Sequence, residues 1–223
     1  MVRPREPLGF LTSLDIATAA RNVPEQTTLI HQDQPADWVY EIVSGTVRET
    51  MLWRDGHRTV TGFKSIGDCL GLSYSPTHAT NGETITPVRL VAAKRSAVLA
   101  ATADPAVNAR LMETLAAELA RAQAHGAALA ALKAVARVAE FLLRLSKSRW
   151  ARADAAVCDG HLATTIDLPM PRQDIADYLG LSLETVCRGF SNLRARGAIA
   201  LPSARHVVVR KPTLLVSIVD KGG

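Results

Sequence analysis

Aromatic side chains make up only 4% of this 223-residue chain, so a surface that stacks single-stranded bases on rings would have few platforms. Cysteine is scarce too: Cys69, Cys158 and Cys187 are odd in number and widely spaced. That excludes a disulfide framework and fits a reducing compartment, with the cytoplasm as the expected location. No apolar run reaches the ~18 residues of a membrane helix, because Lys133 and Arg137 interrupt the alanine-rich centre. The opening residues, Met1 to Pro7, are not followed by an apolar signal-type segment, so neither a signal peptide nor a membrane span is expected. Acidic residues fall short of basic ones, 21 against 26, leaving a net charge of +5. A basic balance favours an anionic partner, nucleic acid or an acidic membrane surface.

The remainder is ordinary globular composition, 48% hydrophobic and 21% charged, which excludes wholesale disorder. The length is about one and a half times a ~150-residue domain, and the pattern divides it three ways. Residues 1–103 read as a β-domain, because turn signals recur at Gly45, Asp55-Gly56, Gly62, Gly67-Asp68, Gly71 and Asn81-Gly82. Asp55-Gly56 predicts a type I′ hairpin turn. In the last strand Val88, Leu90 and Ala92 alternate with Arg89 and Val91, which predicts one apolar face. Asp104-Pro105 is a helix start, an N-cap acceptor followed by a residue with no N–H to leave unpaired.

The helix predicted over 104–132 carries a narrow seam of Met112, Leu115, Leu119, Ala122, Gly126 and Leu129. Such a seam fits either the β-domain or a twin helix, and the small Ala122 and Gly126 favour the twin across a two-fold axis. Residues 133–223 form the third part. It opens with a helix burying Val135, Val138, Phe141, Leu142 and Leu145, followed by an exposed loop or hairpin from Ser146 to Thr164 that includes Cys158-Asp159-Gly160-His161.

Function concentrates between Asp174 and Leu193, whose layout is helix-turn-helix: Ala176 where two helices cross, Gly180 for the turn, Ser182 as cap. Val186, Phe190 and Leu193 form the buried stripe of the second helix, and Glu184, Cys187, Arg188 and Ser191 the opposite one. Arginine can donate twice to guanine and a carboxylate can accept from cytosine in the major groove. Glu184 and Arg188 could equally form an i,i+4 surface pair. Arg172, Arg188, Arg194, Arg196, Arg205, Arg210 and Lys211 oppose Asp174, Asp177 and Glu184 here, so most of the excess positive charge lies in this stretch. From Ile199 to Arg210 the pattern is strand, Pro202-Ser203 turn, strand: either a wing holding Arg205 and His206 against phosphates or an edge hairpin.

β-domain, long helix and winged helix-turn-helix, in that order, resemble the Crp/Fnr superfamily of bacterial transcription factors. The run Leu168-Pro-Met-Pro-Arg-Gln-Asp-Ile-Ala-Asp-Tyr-Leu-Gly-Leu-Ser-Leu-Glu-Thr-Val-Cys-Arg188 is similar to the FixK-like branch, as are Trp38 to Gly45 and Lys94-Arg95-Ser96. The resemblance implies an α+β fold: an antiparallel jelly roll of cyclic-nucleotide-binding type, a dimerisation helix and a winged helix-turn-helix. It implies a homodimer on double-stranded DNA bearing a TTGA-N-TCAA palindrome, recruitment of RNA polymerase, and control of low-oxygen respiration, denitrification or nitrogen-fixation genes. On motif position Glu184 and Arg188 would read the G·C pair and Leu183 a thymine methyl. Gln173, Ser182 and Thr185 would touch phosphates, with Cys187, Ser191 and Arg205 along the groove or backbone.

The signal-receiving motifs differ from the relatives'. Where cyclic-nucleotide binders of the superfamily have Gly-Glu-Leu and Arg-Ser, this chain reads Gly67-Asp-Cys-Leu-Gly71 and His78-Ala-Thr-Asn81, so cAMP binding is not expected. No cysteine precedes Cys69 to build the N-terminal 4Fe–4S cluster of the Fnr branch. His31, His57, His78, His125, His161 and His206 show no pairing that marks a haem site, and neither a cofactor nor a metal is expected. Gating by an unrecognised small ligand or haem in the β-domain stays open. A cupin-like enzyme would need clustered ligands, whereas His57 and His78 stand alone. The chain is expected not to be an enzyme. Cys187, near a helix N-terminus and beside Arg188, is either a small groove-facing side chain or a redox switch. Oxidation-sensitive FixK-type proteins place their cysteine at the position of Pro171, so that precedent does not carry over.

Overall fold

The computed structural model describes residues 9–14, 16–73, 75–158 and 161–222. They form two compact units, one ending at Arg121 and one beginning at Ala122. The first holds eight strands: β1 (Arg21–Val23), β2 (Thr28–Ile30), β3 (Trp38–Ser44), β4 (Val47–Leu52), β5 (Arg58–Lys64), β6 (Cys69–Leu70), β7 (Asn81–Thr84) and β8 (Val88–Lys94). Two four-stranded sheets, in the orders β1-β8-β3-β6 and β2-β7-β4-β5, make the roll. Val23, Ile30, Ile42, Val47, Leu70, Val88 and Leu90 fill the space between them.

The one-faced reading of β8 is corrected. Val91 and Ala93 are buried as well, in a second cluster with Phe10, Leu11, Val39, Val98 and Leu111. A 3-10 turn (Leu11–Ser13), α1 (Arg95–Ala101) and the start of α2 (Pro105–Ala131) bring these residues to the outer face of the sheet. Such cover comes from distant sequence, so the strand's own alternation cannot report it. Glu41, buried on β3, holds the 3-10 turn by accepting from the Leu11 and Thr12 amides and the Thr12 hydroxyl.

The type I′ turn is also corrected. Gly56 has φ +86°, but Asp55 is not among the described residues with positive φ. The Trp53 carbonyl accepts from Gly56 N–H at 3.0 Å and Trp53 N–H donates to the His57 carbonyl at 3.0 Å. This is the three-residue loop in which a turn is followed by a left-handed glycine.

α2 starts as read, with Asp104 Oδ1 accepting from the Ala106 amide at 2.8 Å. Its seam is divided. Leu115 packs on the outer cluster of the roll and Leu129 is half-buried, whereas Met112, Leu119, Ala122 and Gly126 are exposed. Lys133, extended between helices, leads into α3 (Ala134–Ser146), which buries Ala136, Val138, Ala139, Phe141, Leu142 and Leu145. Val135, expected in that set, is only half-buried, because Ala136 takes the inward position.

The stretch read as a loop or hairpin is a hairpin, β9 (Ala151–Cys158) and β10 (His161–Asp167); Asp159 and Gly160 lie outside the described residues. Beyond it come α4 (Arg172–Leu179), α5 (Leu183–Ala195), β11 (Ile199–Ser203), β12 (His206–Val209) and α6 (Pro212–Asp220), and the sheet runs β11-β12-β10-β9. The wing turn falls at Ala204 and Arg205, not at Pro202-Ser203. β11 runs through Pro202 with a register shift between Ala200 and Ser203, which an edge strand tolerates.

Candidate nucleic-acid interface

α4 ends where Gly180 adopts φ +60°, and the Leu181 amide returns to the Ala176 carbonyl at 3.0 Å. A side chain at Gly180 would be strained in this left-handed conformation. Ser182 then caps α5, its hydroxyl accepting from the Thr185 amide at 3.1 Å. Val186, Gly189, Phe190 and Leu193 face inward. Gly189 is a contact that the sequence reading missed: a Cβ there would lie 2.9 Å from Val138 Cγ2 on α3, so α5 seats closely on α3 only without one.

The opposite side of α5 is open. Leu183 is 43% exposed, and Ser182, Glu184, Cys187, Arg188 and Ser191 are exposed, with Thr185 half-buried. Arg188 Nη1 lies 3.5 Å from Glu184 Oε1. An exposed i,i+4 pair of this kind contributes only ~0.3–0.5 kcal/mol, so it does not hold either side chain firmly. Cys187 is the fifth residue of α5, past the first turn behind the Ser182 cap, and its thiol is free and exposed. Gln173, exposed on α4, donates to Asp177 at 2.7 Å.

Arg172 plays an unforeseen part. Its guanidinium lies 3.6 Å from the Phe190 ring centroid, joining α4 to α5, and burial lowers its pKa. No local periodicity links residues eighteen positions apart on two helices. On the wing, Arg205 is exposed at the turn. Beside it His206 Nδ1 pairs with Ser203 Oγ at 2.8 Å, while Asp167 Oδ1 lies 3.3 Å from His206 Nε2 and Asp167 Oδ2 2.8 Å from Arg152.

Inside the roll, buried Lys64 sits between two carboxylates, Glu49 at 3.4 Å and Glu118 of α2, and Arg121 reaches Asp68 at 3.4 Å. Burial raises the Glu49 pKa, and Lys64 opposes that shift. Gly71 has φ +78° and leaves no room for a side chain, since a Cβ would meet the Trp38 carbonyl at 2.7 Å. Cys69 is buried, and its thiol is pushed up to about 12 by burial and by Glu41. Four of the histidines are placed apart from one another: His57 pairs with Asp55, His78 is buried, His125 stacks on Tyr178 and His206 lies against Asp167, while His31 is exposed.

Against known proteins, a Crp-like helix-turn-helix domain profile matches residues 136–218. The nitrogen fixation regulation protein FixK of Azorhizobium caulinodans is 39% identical over 200 residues, covering 89% of this chain and 77% of that protein. The chain belongs to the Crp/Fnr family, in its FixK-like branch. FixK of Rhizobium meliloti is 35% identical over 185 residues, covering 82% and 78%. The structure of FixK2 from Bradyrhizobium japonicum superposes with a TM-score of 0.81 at 35% identity, over 91% of this chain and 97% of that one. This Crp/Fnr protein is therefore a DNA-binding transcription regulator with the family's α+β fold. Among the described residues no helix is long and apolar enough to cross a membrane.

Proposed function

We propose that this regulator is a cytoplasmic homodimer that reads a TTGA-N-TCAA-type palindrome and recruits RNA polymerase to genes of low-oxygen respiration, denitrification or nitrogen fixation. It acts by binding DNA and not as an enzyme. The observation that carries this reading is the open face of α5, where Leu183, Glu184 and Arg188 stand exposed behind the Ser182 cap. Glu184 and Arg188 read the G·C pair and Leu183 a thymine methyl. Gln173, Ser182, Thr185, Ser191 and Arg205 flank them toward the backbone, with Cys187 in the groove.

The dimer forms along α2 through Met112, Leu119, Ala122 and Gly126, with Leu115 and Leu129 lining the same seam. The chain requires no cofactor, and its activity follows its abundance; the buried Lys64, held between Glu49 and Glu118, supports this over gating by a small ligand or haem in the roll. Peroxide oxidises the Cys187 thiol to a sulfinate, two peroxides being reduced to water, and so places negative charge against the DNA phosphates.

Mobility-shift titration on a TTGAT-N-ATCAA duplex tests the reading face. Arg188→Ala should lose about 1–3 kcal/mol of binding and relax the preference for the G·C pair; binding as tight and as selective as wild type overturns the assignment. Peroxide-treated protein in the same titration should bind more weakly. Unchanged binding with Cys187 modified ends the redox part.

A further inference from the structure

One side chain joins the end of the long helix to the helix-turn-helix. Arg137, in the first turn of α3, donates from Nε to the Leu132 carbonyl at 2.8 Å, from Nη2 to Leu129 at 2.7 Å and from Nη1 to Leu179 at 3.0 Å. Leu129 lies in the last turn of α2, Leu132 just beyond it, and Leu179 ends α4. These carbonyls need a donor from outside their helices. The Lys133 amide, which would serve Leu129 in a continuous helix, bonds Gly222 instead. One planar cation therefore sits at the negative ends of two helices. A second contact runs parallel to it: His125 of α2 stacks on Tyr178 of α4, centroids 3.9 Å apart and planes within 7°.

We propose that Arg137 is a positioning residue for DNA recognition, a clamp that fixes the direction of α5 relative to α2 and thereby the half-site spacing the regulator accepts. The inference rests on the dimeric reading above. With two copies joined along α2, the angle from α2 to α5 sets the separation and tilt of the two reading helices, and α5 follows α4 through the short turn at Gly180–Ser182. Half-site spacing is a geometric property of such a pair. A lysine in place of Arg137 offers one ammonium and cannot reach three carbonyls on two elements.

The test uses the full chain, with Arg137→Met and Arg137→Lys, on duplexes with the preferred central spacing and with one base pair more or less. Wild type should lose about tenfold or more on either altered duplex, and the variants only about two- to threefold, since a rigid link makes the second half-site contact effectively intramolecular at one geometry only. A readout free of DNA accompanies it. In a Cys158→Ser background, nitroxides at Cys187 and at Ala127→Cys report the distance from α5 to α2 within one chain, read in protein diluted with unlabelled copies. Both substitutions should broaden that distribution.

An unchanged distribution, or an equal loss at every spacing, overturns the clamp. A broadened distribution in a protein that shows no spacing preference even as wild type keeps the clamp and overturns the palindromic dimer. If Arg137→Met does not fold, Arg137→Lys decides by the same two readouts.

Discussion

At the scale of single residues, most of what matters at the interface is exposure, and exposure follows from spacing on a helix. Glu184, Arg188 and Ser191 stand outside because Val186, Phe190 and Leu193 stand inside, and both sets were legible from period alone. Arg172 on Phe190 and Arg137 on three carbonyls were not. They join elements that no repeat connects, and an arginine in sequence carries no mark of its acceptors.

His125 is of the same kind and makes a pH prediction. Burial first, then the Arg144 guanidinium, lowers its pKa from 6.5 to about 4, with Arg137 adding to the shift. The unfolded imidazole takes a proton near its ordinary value while the folded one stays neutral to about 4. Its contribution to stability is thus complete above pH 6.5 and is lost as pH falls toward 4. His125→Phe keeps a ring on Tyr178 without the titration, so urea unfolding at pH 7 and pH 4.5 should show the variant losing less stability on acidification. An equal loss assigns the acid sensitivity elsewhere.

At the scale of elements, local punctuation was readable and cover was not. Asp104-Pro105, Gly180 and Ser182 mark helix ends by chemistry confined to a few residues, and α2, α4 and α5 begin or end there. The second buried face of β8 depends on Phe10, Leu11, Val98 and Leu111, none of which lies on a neighbouring strand. The Asp55-Gly56 dipeptide predicts a tight turn correctly in place but not in type, since loop length decides the type and the closing pair is Trp53–His57, one residue further out on the N-terminal side than a two-residue loop would have. The Ser182 cap gives a quantitative expectation: Ser182→Ala leaves the Thr185 amide without its acceptor and should cost about 1 kcal/mol of stability, measured by urea denaturation. A cost near zero means water replaces the hydroxyl, and the cap matters for orientation alone.

At the scale of the molecule, the order of parts was legible because each has its own period: two in the roll, near three and a half in the long helix, mixed in the winged unit. What pairs with α2 is tested at Leu119, which is 60% exposed. Leu119→Glu removes no buried contact of the chain itself, so it should yield a folded monomer by light scattering and circular dichroism, with a melting temperature that no longer depends on protein concentration. A dimer that persists places the subunit contact elsewhere.

The buried Lys64 also bears on how the protein can be divided for study. Its ammonium draws one carboxylate from the roll and the other, Glu118, from α2, while Leu111 and Leu115 of the same helix close the outer cluster. A fragment trimmed at the last strand or at α1 would carry a desolvated cation missing half its counter-charge and a bare apolar sheet face. The smallest piece of the roll that can be expected to purify as a soluble, crystallisable domain therefore extends to Arg121, taking more than half of the long helix with it.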